Sequence, residues 1–147
     1  NNNAYCQDNE TTWLSWIGAS DAAGDMARTS DFVARLAALR REAAPLRSTR
    51  WWPAEPPEGI PGIRWLRPDG QPMTPGDWHL GTALAILFDN AWLVLVNAGA
   101  ETVRFTLPPG NWRSCLSTDP AHDDNASPQA LADTADVPSS SLRVART

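Results

Sequence analysis

The sequence has no lysine: its twelve cationic side chains are all arginine, set against seventeen Asp and Glu, for a net charge of -5 at pH 7. Nucleic-acid binding needs clustered cations that neutralise phosphates. No arginine run here is dense enough to form a basic stripe, which argues against a nucleic-acid partner and leaves the arginine bias without functional weight. Long apolar runs are missing as well. No stretch approaches the ~20 apolar residues of a membrane-spanning helix, and the first residues show neither the basic nor the apolar segment of an export signal, so no membrane partner is expected. Cysteine is scarce. Cys6 and Cys115 lie far apart with no CxxC or Cys/His spacing, which indicates neither a zinc site nor a disulfide framework. His79 and His122 stand in unrelated surroundings, so Cys6 has no positioned base. Free thiols mildly favour the cytoplasm, and no cofactor or metal site is implied.

What is present describes a folded chain. A length of 147 residues suits one domain, or one small domain carrying a tail from a neighbour, and 42% hydrophobic with 20% charged residues fits a globular rather than a disordered protein. The opening Asn1-Asn2-Asn3 is polar, is not preceded by Met and runs straight into Ala4-Tyr5-Cys6-Gln7-Asp8. It reads as the middle of a longer chain.

Residues 1–25 are irregular and polar apart from Trp13, Leu14, Trp16 and Ile17. Phe32, Val33, Leu36 and Leu39 then recur at helical spacing and predict a helix over Asp31 to Ala44, capped by Thr29 or Ser30, with Arg40 and Arg41 in its last turn and Pro45 ending it. Burying four such side chains contributes on the order of 6 to 12 kcal/mol before the entropy of ordering is subtracted, but a lone helix has no surface to bury them against. It is expected to dock on a larger domain. From Arg50 to Trp78 the text turns to Pro, Gly and Trp, as in an interdomain connector, with Pro68-Asp69-Gly70 a turn by its chemistry. Beyond it, short strands are predicted over 83–88, 92–96, 102–107, 112–116 and 142–145, with Asp89-Asn90 a tight hairpin turn. Val103, Phe105 and Leu107 alternate with Thr102, Arg104 and Thr106, the pattern of a strand with one wet face. Residues 117–141 are expected to form a long surface loop with at most one short strand near Ala132 to Val137. The strand spacing predicts a small antiparallel sandwich.

The string Asn1 to Glu10, followed by Trp13 and Trp16, closely resembles the segment after the last barrel strand of bacterial glycogen-debranching enzymes and isoamylases, in the α-amylase superfamily of glycoside hydrolases. Three further features follow in that family's order: the helix with Leu36-Ala37-Ala38-Leu39-Arg40-Arg41, the run Trp65-Leu66-Arg67-Pro68-Asp69-Gly70 leading to Met73 and Asp77-Trp78, and Leu93-Val94-Leu95-Val96-Asn97. The resemblance weakens after Trp112, where the last strand is less hydrophobic than the family's.

The resemblance implies an α+β fragment: residues 1–49 the last loop and helix of a (β/α)8 barrel, 50–78 a connector, and 79–147 an all-β C-terminal domain. It implies a parent enzyme that hydrolyses α-1,6 branch linkages of glycogen or limit dextrin. The carboxylates of that chemistry lie upstream of the matching region, so no catalytic residue is expected here. Neither Asp8 with Glu10 nor Asp123 with Asp124 has a reason to be held face to face across a glycosidic bond. In such a barrel the loops after the strands form the catalytic face, so Asn3, Tyr5, Gln7 and Asp8 are candidate substrate-binding residues, the alternative being that they only pin the loop to the barrel rim. Trp51, Trp65, Trp78 and Trp92 are expected to fill a core or a domain interface rather than serve as sugar platforms. The rival readings are a non-catalytic α-glucan-binding sandwich module and an interaction scaffold. The expected partners are α-glucan, through the parent enzyme, and the upstream barrel.

Overall fold

The computed structural model describes residues 5–10, 12–13, 25–47, 49, 52, 62–119, 121 and 128–147. The chain divides into two compact units, Asn1–Arg47 and Ser48–Thr147.

In the first unit α1 spans Asp25–Glu42, with a 3-10 turn over Ala44–Arg47. The helix starts earlier than the sequence pattern predicts, and Thr29 and Ser30 lie inside it instead of capping it. The physical reason is that no proline or glycine stands between Gly24 and Pro45, so nothing stops the helix from propagating back from its strong centre. Phe32 and Leu39 are half-buried, whereas Val33 and Leu36 are exposed. Buried Ala43 and Pro45 close the C-terminal end.

The second unit is antiparallel β throughout. One sheet has six strands in the order β1 (Ile63–Leu66), β2 (Ala83–Phe88), β3 (Trp92–Asn97), β8 (Ser141–Arg146), β5 (Arg113–Ser117) and β6 (Gln129–Ala130); the other pairs β4 (Val103–Thr106) with β7 (Thr134–Val137). A four-residue helix, α2 (Asp77–Leu80), lies between β1 and β2. Leu66, Leu87, Leu93 and Leu95 from the large sheet and Phe105, Ala135 and Val137 from the small one belong to a single buried cluster, so two sheets enclose one core as in a small sandwich. Alternation in β4 is as expected: Phe105 and Leu107 are buried, while Arg104 and Thr106 are exposed. Asp89 and Asn90 take positive φ, 51° and 55°, and make the two-residue hairpin turn whose twist suits antiparallel strands.

Two expectations are corrected. The stretch read as connector contributes β1, which pairs with β2 through Leu66↔Ala85 and places Leu66 in the core. The stretch read as surface loop holds the one short strand expected near Ala132 to Val137, β7, whose Ala135 and Val137 are core residues, but it adds a second, β6. Both segments are short strands completed by distant partners, which local periodicity does not reveal. The strand expected over 142–145 is present as β8 and lies in the interior of the large sheet, paired with β3 on one side and β5 on the other.

Candidate functional site

The opening loop is drawn together by its own polar groups. Thr12 and Trp13 donate their backbone N–H groups to the Asn9 carbonyl at 2.9 and 3.1 Å, and the Thr12 hydroxyl lies 3.1 Å from the Gln7 carbonyl. Cys6 takes a positive φ of 59°, which bends the chain into this turn. The Trp13 indole N–H donates to Asp8 Oδ1 at 2.6 Å, and the Asn9 side-chain amide donates to Gln7 Oε1 at 3.4 Å. Of the four candidate binding residues, Gln7 and Asp8 are thus brought together with Trp13 in one exposed turn. Tyr5 is 83% exposed. Asn3 lies outside the described residues, as do Asp123 and Asp124. Glu10 is exposed on the same turn as Asp8.

A second aromatic feature stands on the β unit. After β1 the chain reverses: Gly70 N–H donates to the Arg67 carbonyl, Arg67 N–H to Gln71, and Met73 N–H returns to the Trp65 carbonyl at 2.9 Å. The Asp77 carboxylate then accepts from both the backbone N–H and the hydroxyl of Thr74, each at 2.7 Å, and starts α2. The reversal sets Trp78 beside Trp65, with ring centroids 5.4 Å apart and planes inclined by 68°. Trp65 is 41% and Trp78 50% exposed, so of the two roles expected of them, core or domain interface, neither fills the core of this unit. Trp92 is half-buried with the Arg146 guanidinium over its ring at 5.7 Å, and Trp51 lies outside the described residues. The tryptophan that does fill the core is Trp112, which donates its indole N–H to the Pro108 carbonyl at 2.7 Å. The sequence held a signal for their pairing, though not for their exposure: Trp65 and Trp78 flank a Pro-Asp-Gly turn that folds one back on the other.

Three carboxylates of this unit are engaged by local partners. The Arg67 guanidinium, hydrogen-bonded to Asp69, holds that carboxyl below the usual carboxylate range; the Thr74 N–H and hydroxyl do the same for Asp77, and Arg104 for Asp136. A general acid for glycoside cleavage needs the opposite shift. Asp89 is pushed upward, by burial in the β2–β3 turn. Among the described residues no group of His, Cys, Asp and Glu could hold a metal ion, and no helix is long and apolar enough to cross a membrane.

Residues 57–134, which include both Trp65 and Trp78, match the family model described as glycogen debranching enzyme C-terminal domain. Similar curated proteins include a glycogen debranching enzyme of Pectobacterium carotovorum subsp. carotovorum, 45% identical over 114 residues (77% of this chain, 16% of that protein), and one of Klebsiella pneumoniae strain 342, 44% identical over 115 residues (78% and 16%). A protein of Haemophilus influenzae named glycogen operon protein GlgX homolog is 38% identical over 120 residues, 80% of this chain and 16% of its own length. The chain thus spans about 16% of the length of these relatives.

Proposed function

The chain belongs to the family of glycogen debranching enzyme C-terminal domains, and on that premise we propose that it is the C-terminal portion of a cytoplasmic enzyme that hydrolyses α-1,6 branch linkages of glycogen or limit dextrin. The observation that carries this reading is its 45% identity over 77% of its length with a protein of that name. Residues 1–49 complete the catalytic barrel, and the β domain stabilises it. The apolar face of α1, exposed at Val33 and Leu36, supports docking on such a barrel, because an isolated helix has no use for it.

In the parent enzyme the opening loop borders the substrate cleft. Asn3, Gln7 and Asp8 present the donors and acceptors that sugar hydroxyls require, and Tyr5 offers a ring to stack on a pyranose together with a phenolic hydroxyl. Retaining cleavage needs a carboxylate nucleophile and a carboxylic acid about 5 Å apart. In the family that pair lies upstream of the region this chain matches, so the chain alone is expected to be inactive; the local partners that hold Asp69, Asp77 and Asp136 below the usual carboxylate range support this reading.

The test compares the parent enzyme with this chain on glycogen. The parent is expected to release linear oligosaccharides and the isolated chain none; hydrolysis by the chain alone would overturn the reading. In the parent, Tyr5→Phe and Gln7→Ala are expected to raise KM or lower kcat. Unchanged kinetics with a lowered melting temperature would reduce the loop to a structural clasp.

A further inference from the structure

We propose that Trp65 and Trp78 form a binding surface for α-linked glucose chains. The choice of sugar rests on the reading of the parent as a glucan-processing enzyme; the surface itself rests on geometry. Both rings are largely exposed on a folded β unit, and among the described residues neither indole N–H donates a hydrogen bond, so each keeps a donor for a hydroxyl at the rim of a sugar. A pyranose carries C–H bonds on its faces and hydroxyls at its edge. It therefore stacks on the negative face of an indole while its rim stays wet.

The inclination of the rings narrows the class of chain. A flat β-linked glucan ribbon presents its sugar faces in one plane and is matched by coplanar rings. An α-linked chain turns at every linkage, and the two indoles, packed edge to face with planes inclined by 68° and centroids 5.4 Å apart, turn their remaining open faces in different directions, as a turning chain requires. Polar side chains border the pair beside the exposed Leu80. The Arg67–Asp69 pair is close enough to Asp77, at the start of α2, to act on its charge, and exposed His79 follows Trp78 directly. The scaffold is rigid, because Trp65 sits on a strand paired along its length with β2 and Trp78 on a helical turn anchored by the Thr74–Asp77 hydrogen bonds.

The full 147-residue chain is run by affinity electrophoresis through gels containing glycogen, with maltoheptaose and cellohexaose as soluble competitors. The expected result is retardation that maltoheptaose relieves and cellohexaose does not, with Trp78→Ala weakening retention about tenfold, equivalent to ~1.4 kcal/mol, and Trp78→Phe restoring part of it. Circular dichroism confirms that each variant is folded, and Trp65→Phe serves as a second probe that keeps an aromatic ring on the strand. Absent retardation of the unsubstituted chain, or equal retention with Trp78→Ala, would overturn the proposal. So would a Trp78→Ala substitution that leaves retention intact and lowers the melting temperature of the parent enzyme, because the pair would then be a packing contact. These outcomes are separable from the proposed function: a parent that debranches glycogen while this surface fails to retain it refutes the surface alone.

Discussion

The side-chain amide of Asn97 donates to the carbonyl oxygen of Val137 at 3.0 Å, joining the end of β3 in the large sheet to the end of β7 in the small one. The same nitrogen lies 2.7 Å from the Glu101 carbonyl and 2.9 Å from that of Pro138, while Asn97 Oδ1 accepts the Gly99 N–H at 2.9 Å. The residue is 1% exposed. A single amide thus serves two loops and both sheets where water does not reach.

Replacing Asn97 by Leu leaves several buried backbone groups without their partner, each costing ~1–3 kcal/mol. The expected loss is about 3 kcal/mol or more, measured by urea unfolding. Asn97→Asp keeps the acceptor for Gly99 but turns a carboxylate toward carbonyl oxygens, so it should be worse at neutral than at acid pH. A Leu variant within about 1 kcal/mol of the parent sequence would mean that the clasp does not matter.

Gly70 takes a φ of +82°, and a Cβ there would lie 3.3 Å from the Thr106 carbonyl oxygen. A non-glycine residue in this left-handed region costs about 1–2 kcal/mol. Gly70→Ala should therefore lower stability by about that amount and, because this turn brings Trp78 back beside Trp65, weaken glucan retention as well. Gly70→Asn should be milder, since Asn tolerates positive φ. Thermal melts of the two variants check the order.

Asp89 combines a positive φ with a buried Oδ1 that accepts no hydrogen bond, and burial raises its pKa. A raised folded-state pKa means stability that is present below the unfolded value of about 3.9 and lost as pH rises through the folded value. Asp89→Asn, which keeps the turn geometry and removes the charge, should raise the melting temperature at pH 7 by a few degrees, about 2–4 °C. That gain should vanish below about pH 4. A gain independent of pH would assign it to backbone preference instead.

Asp69, Asp77 and Asp136 have the opposite sign. Each is held below the ordinary carboxylate range by its hydrogen-bonding partner, Arg67, Thr74 and Arg104 respectively. Their contribution is present above the unfolded carboxylate pKa of about 3.9 and is lost as pH falls through the folded values. All three are solvent-facing, so each effect is small and weakens with salt where the partner is charged. The melting temperature should fall more gently between pH 4 and pH 2 in Asp136→Asn than in the unsubstituted chain, as followed by circular dichroism (about one carboxylate's worth of proton uptake).

Local chemistry by itself determined a good part of this protein. The alternation of Val103, Phe105 and Leu107, the apolar runs that became β2 and β3, the Asp89-Asn90 hairpin and the turn at Gly70 are written in neighbours one to four residues apart, and the structure has them where the sequence puts them. The family was legible in the same way, because motifs such as Trp65 to Gly70 keep their order whatever the tertiary contacts. The start of α1 was not, since no cap or breaker marks it and propagation alone decides how far back a helix runs.

Tertiary structure decided what depends on partners far away in sequence. Whether Ile63–Leu66 is linker or strand is settled by β2 some twenty residues on, and β8 earns an interior place through its pairing with β3 and β5. Strand order, the Asn97 clasp and the exposure of Trp65 and Trp78 all follow from which segments return to cover which. A tryptophan carries no local mark of burial. Trp112 is enclosed because the chain around Pro108 and Leu131 folds over it, whereas Trp65 and Trp78 meet edge to face and stay partly open to solvent.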